Sequence, residues 1–146
     1  MIRPIQRVTM LTIATVLIAC APHAEFGYPD GIYRGVFIDG DEIQVNVQFR
    51  LENGIMTAAS FRHLHALEEY HLDTREEPYR SVIQQYEEAL DHLVGKNLVA
   101  HLDDLYMPQQ IVTLEVDGYS AATLRANKIR SAIQDALNRG PYSLPP

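Results

Sequence analysis

Residues 43–64 read IQVNVQFRLENGIMTAASFRHL, and the fold turns on this stretch. Ile43, Val45, Val47 and Phe49 alternate with Gln44, Asn46, Gln48 and Arg50. A period of two puts every apolar side chain on one face of an extended chain, which predicts a half-buried strand. Asn53-Gly54 is the dipeptide best suited to a two-residue hairpin, because both central residues of that turn need positive φ. Ile55 to Leu64 is then the returning strand. Upstream, Ile32 to Ile38 carries Tyr33, Val36 and Phe37 and ends in the turn Asp39-Gly40-Asp41, which adds a strand in front. Three consecutive antiparallel strands with one solvated face follow.

The second half changes period. Val82, Ile83, Tyr86, Leu90 and Leu93 recur at helical spacing across Tyr79 to Leu93, with Gly95 as a stop. His101 to Pro108 is an irregular connector with room for a short helical turn. Ile111 to Val116 alternates as a fourth strand would. Ser120 to Asn138 reads as the last helix, with Leu124, Ile129, Ala132, Ile133, Ala136 and Leu137 apolar and Arg139-Gly140-Pro141 at its end. Strands first and helices later predict an α+β domain: an antiparallel meander of three to four strands packed with two main helices.

Residues 1–19 fit a different role. Arg3 and Arg7 lie in an acid-free start, and Val8 to Ala19 is apolar apart from Thr9, Thr12 and Thr15. That run falls short of the about 20 apolar residues a membrane span needs, and it suits a signal peptide. It ends Leu17-Ile18-Ala19-Cys20, which resembles the bacterial lipobox, in which the thiol is lipidated and becomes the new N-terminus. The expected division is a signal peptide over 1–19, a lipidated tether over 20–29 and one domain over 30–146. Cleavage before Cys20 would leave 127 of the 146 residues, enough for one core. The expected location is the cell envelope, anchored by lipid on Cys20 and facing the periplasm or the outside. Ala21 rather than Asp after Cys20 favours the outer membrane if the cell is Gram-negative. Cys20 is the single cysteine, so no intrachain disulfide is available. Past residue 19, 10 basic residues stand against 19 acidic ones, a formal charge of −9. Such a chain lacks the basic footprint of a nucleic-acid binder, and only the lipid would hold it to an anionic membrane.

The stretch Asp117-Gly118-Tyr119-Ser120-Ala121-Ala122-Thr123 carries the most specific chemistry. At a helix start, Ser120 would cap free amides, and Ala121 and Ala122 would leave the backbone open to a large group. Free N–H groups and the helix dipole would favour an anion. A phosphate esterified to Thr123 would lie in that field, with Asp117 near enough to hold a divalent cation while the ester forms. Ser-x-x-Thr by itself is also an ordinary helix start.

The wider pattern resembles the FMN-binding domain family, which includes a subunit of the sodium-pumping NADH:quinone reductase. The family signature runs Asp, two variable residues, Ser or Thr, Gly, Ala, then Thr or Ser, and Asp117, Ser120, Ala122 and Thr123 match it. Asp30-Gly31-Ile32-Tyr33-Arg34-Gly35 matches the Asp-Gly-x-Tyr-x-Gly opening of the family. The resemblance implies FMN linked by a phosphoester to Thr123, loaded by a flavin transferase from FAD with magnesium. It also implies a closing amphipathic helix over Asn127 to Leu137, and redox partners of unknown identity. Ser120 and the amides of Ala121 to Thr123 would hold the phosphate. The chain would be a membrane-surface electron carrier rather than a complete enzyme. Two positions depart from the pattern. Ala121 replaces the signature glycine, and no Pro-Gly segment follows the third strand, where many members touch the flavin ring. Arg125, two places after Thr123, is either a phosphate partner or solvated. The alternative expectation is an envelope lipoprotein that keeps the fold for binding or assembly without flavin.

His63, His65 and His71 invite a metal reading, but Leu64 as a core residue between two solvated histidines explains them equally, and no metal is assigned. Glu68-Glu69, Glu76-Glu77 and Glu87-Glu88 read as solvated faces, and Tyr33, Tyr86 and Tyr106 as core or rim. No nucleophile elbow or glycine-rich phosphate loop appears.

Overall fold

The computed structural model describes residues 27–65, 71–114 and 125–143. Three antiparallel strands, β1 (Gly31–Asp39), β2 (Glu42–Glu52) and β3 (Ile55–Leu64), form a meander in the order β1-β2-β3. Helix α1 (Tyr79–Asp91) packs on β3, and α3 (Asn127–Arg139) packs on β1 and β2. Between them lie a short helix α2 (Leu98–His101) and the 3-10 turns Leu102–Tyr106 and Pro108–Gln110. The domain is α+β, as the order of patterns along the chain requires. Among the described residues no helix is long and apolar enough to cross a membrane.

The alternation in β2 does what it predicts: Val45, Val47, Phe49 and Leu51 are buried. They meet Ile129, Ala132, Ile133 and Ala136 of α3 and Ile83, Leu90 and Leu93 in and after α1 in one core. The hairpin turn has positive φ at both Asn53 (52°) and Gly54 (76°). Asp30 Oδ1 accepts the Asn53 N–H at 2.7 Å, which ties the entry of β1 to that turn.

The Asp-Gly-x-Tyr-x-Gly opening now has a structural account. Tyr33 is fully buried, stacks on Phe49 at 5.3 Å between ring centroids, and donates its hydroxyl to Pro29 O at 2.5 Å. Gly31 has φ of +154°, and a Cβ there would meet Pro141 Cβ at 2.9 Å. At Gly35 a Cβ would stand 2.1 Å from Ala132 O and 2.5 Å from Ala136 N, inside the α3 backbone. The motif seats the first strand against the closing helix. The outer edge of β1 is covered as well: Val36 N–H donates to Asp135 Oδ2 at 2.9 Å and Tyr142 N–H to Ile32 O at 2.6 Å. An edge so occupied offers little to a foreign strand.

Two expectations fail here. The fourth strand does not form over its described part: Ile111 is a turn and Val112 to Leu114 are irregular, while Glu115 and Val116 lie outside the described residues. The backbone of Thr113 and Leu114 bonds to α1 side chains instead of to a neighbouring strand. The last helix begins at Asn127 rather than Ser120, because Arg125 is irregular and Ala126 forms a turn. Its N-cap is Ala126, with no side-chain cap. Ser120 itself lies outside the described residues. The helix agrees instead with the Asn127 start implied by the family resemblance.

Gly35→Ala should lower unfolding stability by about 3 kcal/mol or more, since helix backbone cannot retreat from the added methyl. Gly40 has φ of +63° and open space around it, so Gly40→Ala should cost only about 1 kcal/mol of left-handed strain. Denaturant melts of the two variants check this ranking, and equal losses would remove the special role of the contact at Gly35.

Candidate functional site

Cys20, Asp117, Ser120, Ala121, Ala122 and Thr123 lie outside the described residues. What the structure describes is the frame on either side of 115–124, and α1 builds that frame. One face of α1 is apolar and buried through Val82, Ile83, Tyr86, Ala89 and Leu90. Gln85 and Glu88 stand beside this face and reach the incoming chain. Glu88 Oε1 accepts the Thr113 N–H at 2.9 Å and the Thr113 hydroxyl at 2.5 Å, and Glu88 Oε2 accepts the Leu114 N–H at 3.0 Å. Gln85, buried to 1% exposure, donates its Nε2 to Leu114 O at 2.9 Å. On the far side, the backbone N–H and the charge of Arg125 both act on the Tyr86 hydroxyl, which places that residue near the same helix. Gln85 and Glu88 thus hold the last residues before the interval, and Tyr86 lies near the first residue after it.

Burial pushes the Glu88 carboxyl upward, but the donations from Thr113 and Leu114 outweigh it, and the group ends below its ordinary value. The pattern of paired acids predicted a solvated Glu88; instead its carboxylate is spent on backbone and hydroxyl donors. Burial raises the Tyr86 hydroxyl, against the opposing pull of Arg125's backbone N–H and charge.

The start of α3 is positive. Lys128 is 6% exposed, and its ammonium donates to Gln44 Oε1 and lies 5.7 Å from the centre of the Phe37 ring. Among the described residues it has no carboxylate within ion-pair distance. Burial lowers its pKa first, and the Arg125 guanidinium lowers it further, with Asp39 pulling the other way. Two cations side by side at an uncapped helix start form a local field that an anion would relieve.

Two recesses flank α1. One, of about 720 Å³, is open and lined by Gln84, Glu87, Glu88, Asp91, Thr113 and Leu114. The other, of about 480 Å³, lies between β3 and α1 and includes Phe61, Leu72, Arg75, Arg80 and Leu90. Glu87 and Asp91 line both, so the recesses adjoin along the outer edge of the helix. A volume near 500 Å³ falls in the ordinary range for small-molecule sites.

The remaining sequence candidates divide. Tyr33 and Tyr86 are core, and Tyr106 is exposed at the rim. Leu64 is buried and His63 is exposed, as the plain reading of that pair required, but His65 is not solvated: its side chain is only 14% exposed. His65 Nδ1 meets Glu42 Oε1 at 2.6 Å, and its ring stacks on His71 at 4.4 Å. Sequence reading passed over His92, His101 and Asp104, whose ligand atoms converge. The spacing His101-x-x-Asp104 was the available signal, but His92 joins it only through the turn after α1.

Replacing Glu88 by Gln puts an amide N–H against backbone donors, at a local cost of about 1–3 kcal/mol. Amide exchange at Thr113 and Leu114 should accelerate in this variant, and unchanged protection would remove Glu88 from the frame. In the native chain Glu88's contribution is complete above 4.5, its ordinary value, and is lost as pH falls through its lower folded value. Lys128 acts at the other end. Between its depressed folded value and 10.5 the unfolded chain holds a proton that the folded chain lacks, so its share of stability rises with pH. Stability curves of the native chain and Lys128→Met should converge as pH climbs through that window; parallel curves would contradict a depressed Lys128.

Compared with profiles of protein families, with curated proteins and with solved structures, the chain has no match in any of the three.

Proposed function

We propose that this chain is an FMN-carrying lipoprotein of the cell envelope, with FMN joined by a phosphoester to Thr123 and lipid on Cys20. The observation that carries the reading is the match of Asp117, Ser120, Ala122 and Thr123 to the flavin-attachment signature, in a chain whose Asp30 to Gly35 matches the family opening. The geometry adds support. That opening locks β1 to α3, and Gln85 and Glu88 of α1 hold the residues just before the interval that contains the signature. The paired cations Arg125 and Lys128 suit the singly charged phosphodiester that such a link leaves, since a buried ammonium without a carboxylate gains from an anion beside it.

When bound, FMN supplies the one- and two-electron chemistry, and the protein supplies position and electrostatics. In this reading Lys128 and Arg125 neutralise phosphate charge at the start of α3. The recess between β3 and α1 offers Phe61, Leu72 and Leu90 as apolar walls and Arg75 and Arg80 as cations for a flat, oxygen-rich ring. This recess lies against the third strand, where this chain lacks the Pro-Gly segment. Asp117 assists metal-dependent loading by a flavin transferase that uses FAD and magnesium. The lipid keeps the carrier beside its redox partners at the periplasmic or outer surface.

Ala121 in place of glycine, together with the missing Pro-Gly, favours one other reading: a flavin-free envelope lipoprotein that binds or assembles through the same fold.

The test is to express the full chain with a competent flavin transferase in an exporting host. The denatured chain should retain flavin fluorescence and gain the mass of FMN less water, and both should vanish in Thr123→Ala. A colourless chain at its unmodified mass, alongside a loaded control substrate, would leave the flavin-free reading.

A further inference from the structure

We propose that His92, His101 and Asp104 form a binding site for a zinc-class divalent metal ion, separate from the 115–124 interval. The three residues come from three consecutive pieces of chain. His92 caps the C-terminus of α1, His101 ends α2, and Asp104 lies in the 3-10 turn Leu102–Tyr106. Gly95, at φ of +81°, lets the chain reverse after α1, and Asn97 starts α2 by accepting the Ala100 N–H at 3.1 Å. Leu93, Leu98, Leu102 and Leu105 are buried around these positions, so packing holds the backbone that carries each ligand.

The donor atoms converge on one point. Nε2 of His92 is 2.8 Å and Nδ1 of His101 is 3.0 Å from the same carboxylate oxygen, Oδ2 of Asp104. All three atoms lie within 4.8 Å of one another. Ligands at zinc bond lengths on a tetrahedron stand about 3.3 Å apart, so a few tenths of an ångström of opening would admit the ion. Two neutral imidazoles and one carboxylate are a donor set suited to zinc, and three protein ligands leave a fourth position for water. That position has access to solvent: the side chains of His101 and Asp104 are 43% and 34% exposed, against 19% for His92.

Lys96 makes the site discriminating. Its Nζ is 2.9 Å from Nδ1 and 3.0 Å from Nε2 of His92, so the ammonium faces the ring nitrogen that also meets Asp104. A metal on Nε2 would stand beside that ammonium. Lys96 must then swing away, and its charge opposes the cation throughout. A mere hydrogen-bond clasp between α1 and α2 would be strengthened by Lys96, whereas a metal site is weakened by it.

The experiment is calorimetric titration of zinc into the full-length chain in detergent, with binding repeated in variants whose melting profiles are recorded. A single saturable site is expected, weakened about 100-fold or more in His101→Ala and Asp104→Asn, because ligand loss should exceed the 10–100-fold cost of losing an outer-shell partner. Lys96→Met should tighten binding several-fold, and His63→Ala with His71→Ala should leave it unchanged. His101→Ala removes an exposed ring, which guards against reading a folding defect as lost affinity. Absence of saturable binding would overturn the proposal. So would binding that survives both ligand variants, or binding that Lys96→Met weakens.

Discussion

At Gly35 the first strand approaches the backbone of the last helix so closely that no side chain fits between them. Bare backbone at one point lets Ile129, Ile133 and Leu137 of α3 settle among Tyr33, Val47 and Phe49, all of them buried. Tyr33 is held on the other side by its stack on Phe49 and its bond to Pro29. Asp30 carries the constraint onward to the β2–β3 turn. Because α3 docks in one place, its N-terminus, and with it Arg125 and Lys128, is also set in one place relative to the sheet. The strand–helix contact and the charge at the start of the helix are thus one arrangement, reached from two ends of the sequence.

The connector between α1 and α3 shows the complementary principle. A segment near a packed helix must bond its backbone somewhere, and over residues 111–114 it uses no fourth strand. Gln85 and Glu88 serve as substitutes for a strand's carbonyls and amides, each fixed by the turn of α1 that buries Val82, Ile83 and Ala89. Side chains on a helix can take such donors at one or two positions and then release the chain. A sheet edge would hold the whole length. The arrangement fixes Thr113 and Leu114 at the entry to the 115–124 interval.

Much of the architecture was legible because it depends on local pattern. Alternation at Ile43 to Phe49 and the Asn53-Gly54 turn specify β2, β3 and the hairpin between them, and helical spacing specifies α1 at its observed start, Tyr79. The errors arise where pattern is ambiguous. Ile111 to Leu114 alternate as a strand does, yet the partner that mattered was Glu88, 25 positions away from Thr113, and no local window contains it. Ser120 resembled a cap, but the helix begins at Asn127, after an Ala126 N-cap that no side chain caps. His92 meets Asp104 only because Gly95 turns the chain back. The lipidation residue Cys20 and the signature residues from Asp117 to Thr123 are legible as motif, and they lie outside the described residues.

Charge distribution is what makes the start of α3 matter for an anionic group. Acids outnumber bases in this chain, 19 to 12, so at long range its field repels a phosphate. Attraction has to be local and shielded from the screening of bulk solvent. Lys128 meets that condition: it is nearly buried, bonded to a neutral amide rather than to a carboxylate, and pressed by a neighbouring guanidinium. Its depressed pKa is the cost of that placement, and a negative charge beside it would oppose the Coulomb contribution of Arg125. Glu87 and Asp91, by contrast, line the two recesses along α1, where an uncharged ring tolerates carboxylates that a phosphate would not. The domain thus sets a cationic corner at α3 apart from a rim along α1 where Glu87 and Asp91 stand with Arg75 and Arg80. A ligand with one strongly anionic end and one flat neutral end matches that division better than a uniformly charged one.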